Sequence, residues 1–161
     1  MVLSDTDLKK TVRSWRDQGK KIVFTNGCFD LLHRGHVEYL NIAKSHGDVL
    51  IVGINSDRSV RALKGAGRPL VNEDDRAFIV SQLRSVDATV IFDEDTPHRL
   101  IAELLPDILV KGGDYKPDEV VGKDIVENNG GKLVLVPLTP GRSTSGILEK
   151  ITAKETMHAK I

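Results

Sequence analysis

Five short blocks of mostly apolar residues punctuate the chain: Ile22-Val23-Phe24, Val49 to Ile54, Ala88 to Phe92, Ile108-Leu109-Val110 and Leu133 to Val136. Blocks this short, apolar on consecutive positions, predict strands that are covered on both faces. Between them the apolar residues return every three or four positions. Leu8, Val12 and Trp15 share a face over Ser4–Gln18, with Ser4 as cap, Trp15 as packing anchor and Gly19 as stop. Val37, Leu40 and Ala43 do the same up to Gly47. Asn55-Ser56-Asp57 forms a turn and cap, and Arg58 to Arg68 a basic helix face followed by a loop that Pro69 closes. Asn72 caps a helix to Arg84 whose Ala77, Ile79, Val80 and Leu83 face the core. Thr96-Pro97 opens a helix through Leu104, with His98 on its exposed face, and Gly122–Asn129 forms a short one. The last helix opens within Thr139 to Gly146 and runs through Ile151, leaving residues 152–161 as a frayed tail.

Strands alternating with helices predict an α/β fold, a doubly wound five-stranded parallel sheet with helices on both faces. A length of 161 residues suits one domain, residues 1–161, with residues 1–19 as an N-terminal helix. Lysine plus arginine equals aspartate plus glutamate at 23 each, so no overall field draws in nucleic acid or an anionic membrane. Neither partner is expected. The single cysteine excludes an internal disulfide, no apolar run is long enough to span a bilayer, and Met1 to Lys10 lacks a signal-peptide core. A cytoplasmic location is the expectation.

Candidate chemistry concentrates in Thr25-Asn26-Gly27-Cys28-Phe29-Asp30-Leu31-Leu32-His33-Arg34-Gly35-His36, which joins the first strand to the helix after it. Histidines at the C-terminal edge of a strand and the start of a helix sit where backbone N–H groups and the helix dipole favour an anion. His33 and His36, three apart, can face one side of a turn and donate to one phosphoryl group, while Gly35 lets a ligand approach the backbone. They also fit a metal pair, but no Cys, His or Glu at ligand spacing completes that site. Cys28 is a small packed residue rather than a nucleophile, and Asp30 either braces the turn or meets the ligand.

Cations and glycines recur beyond the other strand ends. Lys64 and Arg68 flank Gly65-Ala66-Gly67, a loop able to close over a triphosphate. Arg76 stands at a helix start, where a cation opposes the dipole and calls for an anionic partner, protein or ligand. Lys111-Gly112-Gly113-Asp114 is either a plain β-α turn or a place of close backbone approach. Arg142-Ser143-Thr144-Ser145 makes a second anion pocket or only a well-capped helix.

The histidine turn resembles the His-x-Gly-His signature of the nucleotidyltransferase superfamily, and its Thr-x-Gly-x-Phe-Asp-x-x-His surroundings match too. With Gly53 to Asp57, Leu63-Lys64-Gly65, Gly67-Arg68-Pro69, Val110 to Pro117 and Ser143-Thr144-Ser145, the chain looks like the adenylyltransferase domain of bacterial ADP-heptose synthases. The family's last motif reads Ser-Thr-Thr, so Ser145 departs from it but keeps a hydroxyl. Many relatives fuse this domain to a sugar kinase, and the chain resembles the stand-alone form.

The resemblance implies adenylyl transfer from ATP to D-glycero-β-D-manno-heptose 1-phosphate, giving ADP-heptose and pyrophosphate for lipopolysaccharide core synthesis. Under it His33 and His36 serve the α-phosphoryl group, helped by backbone amides around Cys28 and Phe29, Asn26 and Gly27 bind nucleotide or phosphate, and Lys64, Arg68 and Arg76 hold the β,γ-phosphates or the sugar phosphate. Lys111, Gly112 and Asp114 border the nucleotide, and Arg142 with Ser143, Thr144 and Ser145 meets phosphate. Magnesium comes with ATP, held by phosphate oxygens and water, and relatives suggest a homodimer. The rivals are a cytidylyltransferase for glycerol 3-phosphate, a transferase for another phosphorylated acceptor, and a nucleotide-binding regulatory module. A dinucleotide module would need a Gly-x-Gly-x-x-Gly turn, absent here. A tRNA synthetase fragment would need an RNA-binding region.

Overall fold

The computed structural model describes residues 1–113 and 115–158, with side chains through Ala153. Its elements in chain order are α1 (Asp5–Asp17), β1 (Ile22–Gly27), α2 (Arg34–Lys44), β2 (Val49–Asn55), α3 (Asp57–Lys64), α4 (Glu73–Ser81), β3 (Ala88–Phe92), α5 (His98–Leu104), β4 (Ile108–Gly112), α6 (Lys123–Asn128), β5 (Lys132–Val136) and α7 (Thr144–His158). A 3₁₀ turn, Pro117–Glu119, sits between β4 and α6. The strands form one parallel sheet in the order β3-β2-β1-β4-β5. The chain winds outward from β1 to β3, then crosses back to place β4 on the other side of β1. That reversal is the doubly wound arrangement expected from the apolar blocks, and it opens a crevice beyond the ends of β1 and β4.

Alternate strand residues enter two cores. Ile22, Phe24, Ile51, Val90 and Leu109 pack with Leu8 and Val12 of α1, Leu100, Ile101 and Leu104 of α5, and Val126 of α6. Val23, Leu50, Val52, Ile108 and Val110 pack on the opposite face with Leu40 and Ala43 of α2 and Ala77 and Val80 of α4. Trp15 lies partly buried against the first core, as an anchor should. Burying each of these aliphatic or aromatic side chains contributes about 1.5–3 kcal/mol.

Helix starts follow the sequence closely. Ser4, Ser56 and Asn72 each accept a backbone N–H three residues on, from Asp7, Ser59 and Asp75. Four expectations need correction. Thr96 caps nothing, because the N-cap of α5 is Pro97, which has no side-chain donor or acceptor. Lys44 ends α2 before Gly47 is reached. Ile79 is exposed, since α4 turns Ala77 and Val80 to the sheet. The last helix runs on to His158 instead of fraying at Thr152, whose hydroxyl donates back to the Leu148 carbonyl at 3.1 Å. Residues 159–161 of the expected tail lie outside the described residues.

Candidate active site

The turn after β1 is held from below. Asp30 is almost completely buried and accepts from the backbone N–H groups of Leu70 and Val71 at 2.8 and 2.9 Å and from the Arg68 guanidinium. Burial alone would raise its carboxyl; the donors from Val71, Arg68 and Leu70 outweigh it and keep the group below the ordinary carboxylate range. Asp30 thus braces the turn, and it also lines the cleft above it. Phe29 takes up a left-handed backbone (φ 46°), which turns the chain sharply and lays its ring against His36, with centroids 5.2 Å apart.

His33 is the N-cap of α2, with extended backbone and no side-chain cap bond, and its carbonyl accepts from the His36 N–H at 2.9 Å. The two imidazoles stack, centroids 3.9 Å apart and planes within 18°. Both Nδ1 atoms are buried and have no hydrogen-bond partner among the described residues. With its proton on Nε2, each neutral ring offers that N–H as a donor to a ligand. Burial, then the neighbouring His33, lowers His36 to about 4, while burial and Arg142 lower His33. Near neutral pH the pair is therefore an uncharged double donor, and an anion seated on it would favour protonation.

Gly35 lines the cleft and is also packed closely by protein. A Cβ there would lie 3.1 Å from the Arg142 Cβ and from His33 Cε1 and Nδ1. What approaches the backbone is the arginine that leads into α7 and the imidazole itself.

A cleft of about 610 Å³ opens over this turn. It is lined by Asn26, Gly27, Cys28, Phe29, His33, Gly35 and His36 on one side. Lys64, Arg68, Lys111, Gly112, Arg142, Ser143, Thr144 and Ser145 complete it. Lys64 ends α3, Lys111 lies on β4, and Ser143 caps α7 by accepting from Gly146 N–H at 3.0 Å. Thr144 donates to the Leu31 carbonyl at 3.3 Å, tying α7 to the histidine turn. Lys111 Nζ donates to Asn26 Oδ1 at 3.3 Å, and burial pushes it below the ordinary lysine range. Burial also raises the Cys28 thiol despite nearby Lys64, Arg76 and Arg68, so it stays a thiol rather than an activated nucleophile.

The site departs from the sequence reading at several residues. Arg76 does not reach the cleft: it is 1% exposed and donates to the carbonyls of Val71 and Cys28 and to Asp57, at 2.9, 2.6 and 2.7 Å. Its anionic partner is protein, and its role is to hold the turn. Arg58, in the same basic stretch, is drawn to Asp93 and Asp95 just after β3. Arg68 reaches the cleft but is already paired with Asp30. Gly112 is required by Tyr39, whose Cε2 would lie 2.9 Å from a Cβ there. Asp114 lies outside the described residues. The sequence reading passed over Tyr39 and Asn55, which also line the cleft. Tyr39 stands three residues after His36, on the same side of α2, and that spacing was the available signal. Asn55 ends a strand at the same edge as Asn26.

Comparison with known proteins agrees with this geometry. The cytidylyltransferase-like family matches residues 24–150. The bifunctional protein HldE of Geobacter metallireducens is 61% identical over 140 residues, covering 87% of this chain and 29% of that protein. The protein of the same name from Mesorhizobium japonicum is 52% identical over 155 residues, 96% of this chain and 31% of that one. The chain thus spans under a third of the length of these curated relatives. Among solved structures, the lipopolysaccharide core biosynthesis protein from Thermoplasma volcanium is 31% identical with a TM-score of 0.62, covering 75% of this chain and 98% of that one. A pantoate-beta-alanine ligase from Francisella tularensis, complexed with beta-gamma ATP and beta-alanine, shares the fold at 18% identity and a TM-score of 0.59, over 90% and 69% of the two chains. With a match that runs from the second half of β1 into α7 and takes in the histidine turn, this chain belongs to the cytidylyltransferase-like nucleotidyltransferase family.

Proposed function

We propose that this chain transfers the adenylyl group of ATP to the phosphate of D-glycero-β-D-manno-heptose 1-phosphate, releasing pyrophosphate and forming ADP-heptose. The observation that carries the chemistry is the stacked, unpartnered pair His33 and His36 at the head of a cleft edged by cations. The relatives named HldE, and the lipopolysaccharide core biosynthesis protein, support the choice of acceptor.

The acceptor phosphate has its second ionisation at about pH 6, so its oxygen attacks the α-phosphorus without a general base. The barrier lies in bringing two anions together in line and in the charge that builds on the α-phosphoryl oxygens and the leaving pyrophosphate. His33 and His36 donate to those α-phosphoryl oxygens, each such donor contributing roughly 3–4 kcal/mol. Lys64, Arg68, Lys111 and Arg142 neutralise the remaining phosphates, and the start of α7 adds its Ser143 to Ser145 hydroxyls and its dipole. Asp30 competes for Arg68, so ligand phosphate must share or displace that pairing. Magnesium is part of the substrate as MgATP. Phosphate oxygens and water hold the ion.

The competing reading is a cytidylyltransferase for glycerol 3-phosphate or a nucleotidyltransferase for another phosphorylated acceptor, and the family description bears on its cytidylyl part alone. Pyrophosphate release from all four NTPs, with both heptose 1-phosphate anomers and glycerol 3-phosphate, separates the readings. The account requires turnover with ATP and a heptose 1-phosphate, and preference for CTP with glycerol 3-phosphate would replace it. No helix among the described residues is long and apolar enough to cross a membrane. A cytoplasmic homodimer completes the reading, and sedimentation of the purified protein tests the dimer.

A further inference from the structure

β1 meets its two neighbours unequally. Its pairing with β2 runs from Ile22 opposite Val49 to Gly27 opposite Ile54, whereas its pairing with β4 stops at Phe24 opposite Leu109. β4 is not frayed there, because its own pairing with β5 continues to Gly112 opposite Val136. Something holds β1 and β4 apart from Thr25 and Val110 onward. The structure places the Tyr39 hydroxyl in that gap, 2.6 Å from Thr25 Oγ1 and 3.2 Å from the Val110 carbonyl. Because Tyr39 donates to the carbonyl, Thr25 donates to Tyr39, and the two bonds tie the Thr25 side chain of β1 to the Val110 carbonyl of β4 across the split. Its ring lies flush against β4, which is why residue 112 has no room for a Cβ. Burial lifts the phenol to about 12, so it remains a donor at working pH.

One residue beyond the wedge on each strand stand Asn26 and Lys111, which meet across the opening at 3.3 Å. We propose that Tyr39 is a positioning residue for nucleotide binding: wedged between β1 and β4, it sets the width of the split and so fixes Lys111 and Asn26 where they meet the triphosphate. This rests on the reading of the cleft as an ATP site. The Tyr39 hydroxyl is engaged by Thr25 and Val110, so its role runs through the two strands. Losing its hydroxyl would leave buried polar groups on both strands to pair directly or to admit water, and either outcome moves Lys111 relative to the histidine turn.

A double-mutant cycle tests this on binding of a non-hydrolysable ATP analogue by calorimetry, with kcat and KM measured alongside. Tyr39→Phe should weaken analogue binding about tenfold at a temperature where melting shows the variant fully folded, and Thr25→Val should repeat the effect from the other strand. Lys111→Met should also weaken binding, and adding Tyr39→Phe to it should cost less than a further twofold. Wild-type binding by Tyr39→Phe, wild-type binding by Lys111→Met, or losses that multiply in the double variant would each overturn the proposal. Analogue binding without turnover of heptose 1-phosphate would refute the acceptor assignment and leave the Tyr39 cycle readable. Absence of analogue binding by the wild type would defeat both.

Discussion

Two groups of polar side chains flank the end of β1, and they are built to opposite rules. On the side of α3 and α4, Asp30, Arg76, Asp57 and Arg68 are cross-linked to each other and to the backbone of Cys28, Leu70 and Val71. On the side of α2, His33 and His36 rest against each other with Nδ1 atoms that bond to nothing described. A matched network stiffens a fold, whereas buried polar atoms without partners cost stability. Charge alone therefore does not mark the site. Arg76 carries a full positive charge and is framework, while the two histidines carry none near neutral pH and are the candidate machinery.

The contrast breaks most visibly at Arg76. Arg76→Met strands Asp57 and the Cys28 carbonyl and should cost about 3–5 kcal/mol of stability by denaturant unfolding. A variant that melts normally and loses only ATP binding would return Arg76 to the ligand side. His36→Ala should do the reverse, cutting pyrophosphate release by ~100-fold or more with ATP affinity less affected and the melting temperature near that of the wild type. Near-normal turnover would remove the histidine from the mechanism. Asp30→Asn sits between these cases. It keeps the shape but loses charge-assisted bonds, and should lower stability by about 1.5–3 kcal/mol in the same unfolding experiment.

The smallest effect is in pH. Folding depresses the His36 pKa from 6.5 to about 4, so as pH falls the unfolded chain takes up this proton first. The stability His36 contributes is intact above about pH 6.5 and is lost as pH falls toward 4. His36→Gln should therefore lose less stability than the wild type across that window. Carboxylates with lowered pKa, such as Asp30 and Glu94, are the same in both proteins and largely cancel in the difference. Parallel profiles would contradict the depressed pKa.

The sequence carried most of the framework because that information is local. An apolar block announces a covered strand by itself, and Ser4, Ser56 and Asn72 declare caps through a side-chain oxygen three residues before the N–H it accepts. The histidine turn was legible for the same reason, since strand, glycine and helix start lie within a dozen residues. Where the reading slipped, partners distant in sequence decided the outcome. Position at a helix start told of an anion for Arg76, yet not that Asp57 and two carbonyls would supply the acceptors. Gly35 and Gly112 signalled close approach, but Arg142 and Tyr39 do the approaching, from α7 and α2. Ile79 turned outward because the faces of α4 are set by what β3 and β2 present, not by apolar spacing alone.

The central claim, that the stacked imidazoles receive the α-phosphoryl group, is tested most directly by an NMR titration of His33 and His36 in the free protein and with MgATP bound. The account predicts that His36 titrates near 4 without ligand and that both histidines move upward when nucleotide places negative charge against them. Histidines that titrate near 6.5 in the free protein, or that do not respond to bound MgATP, would contradict it.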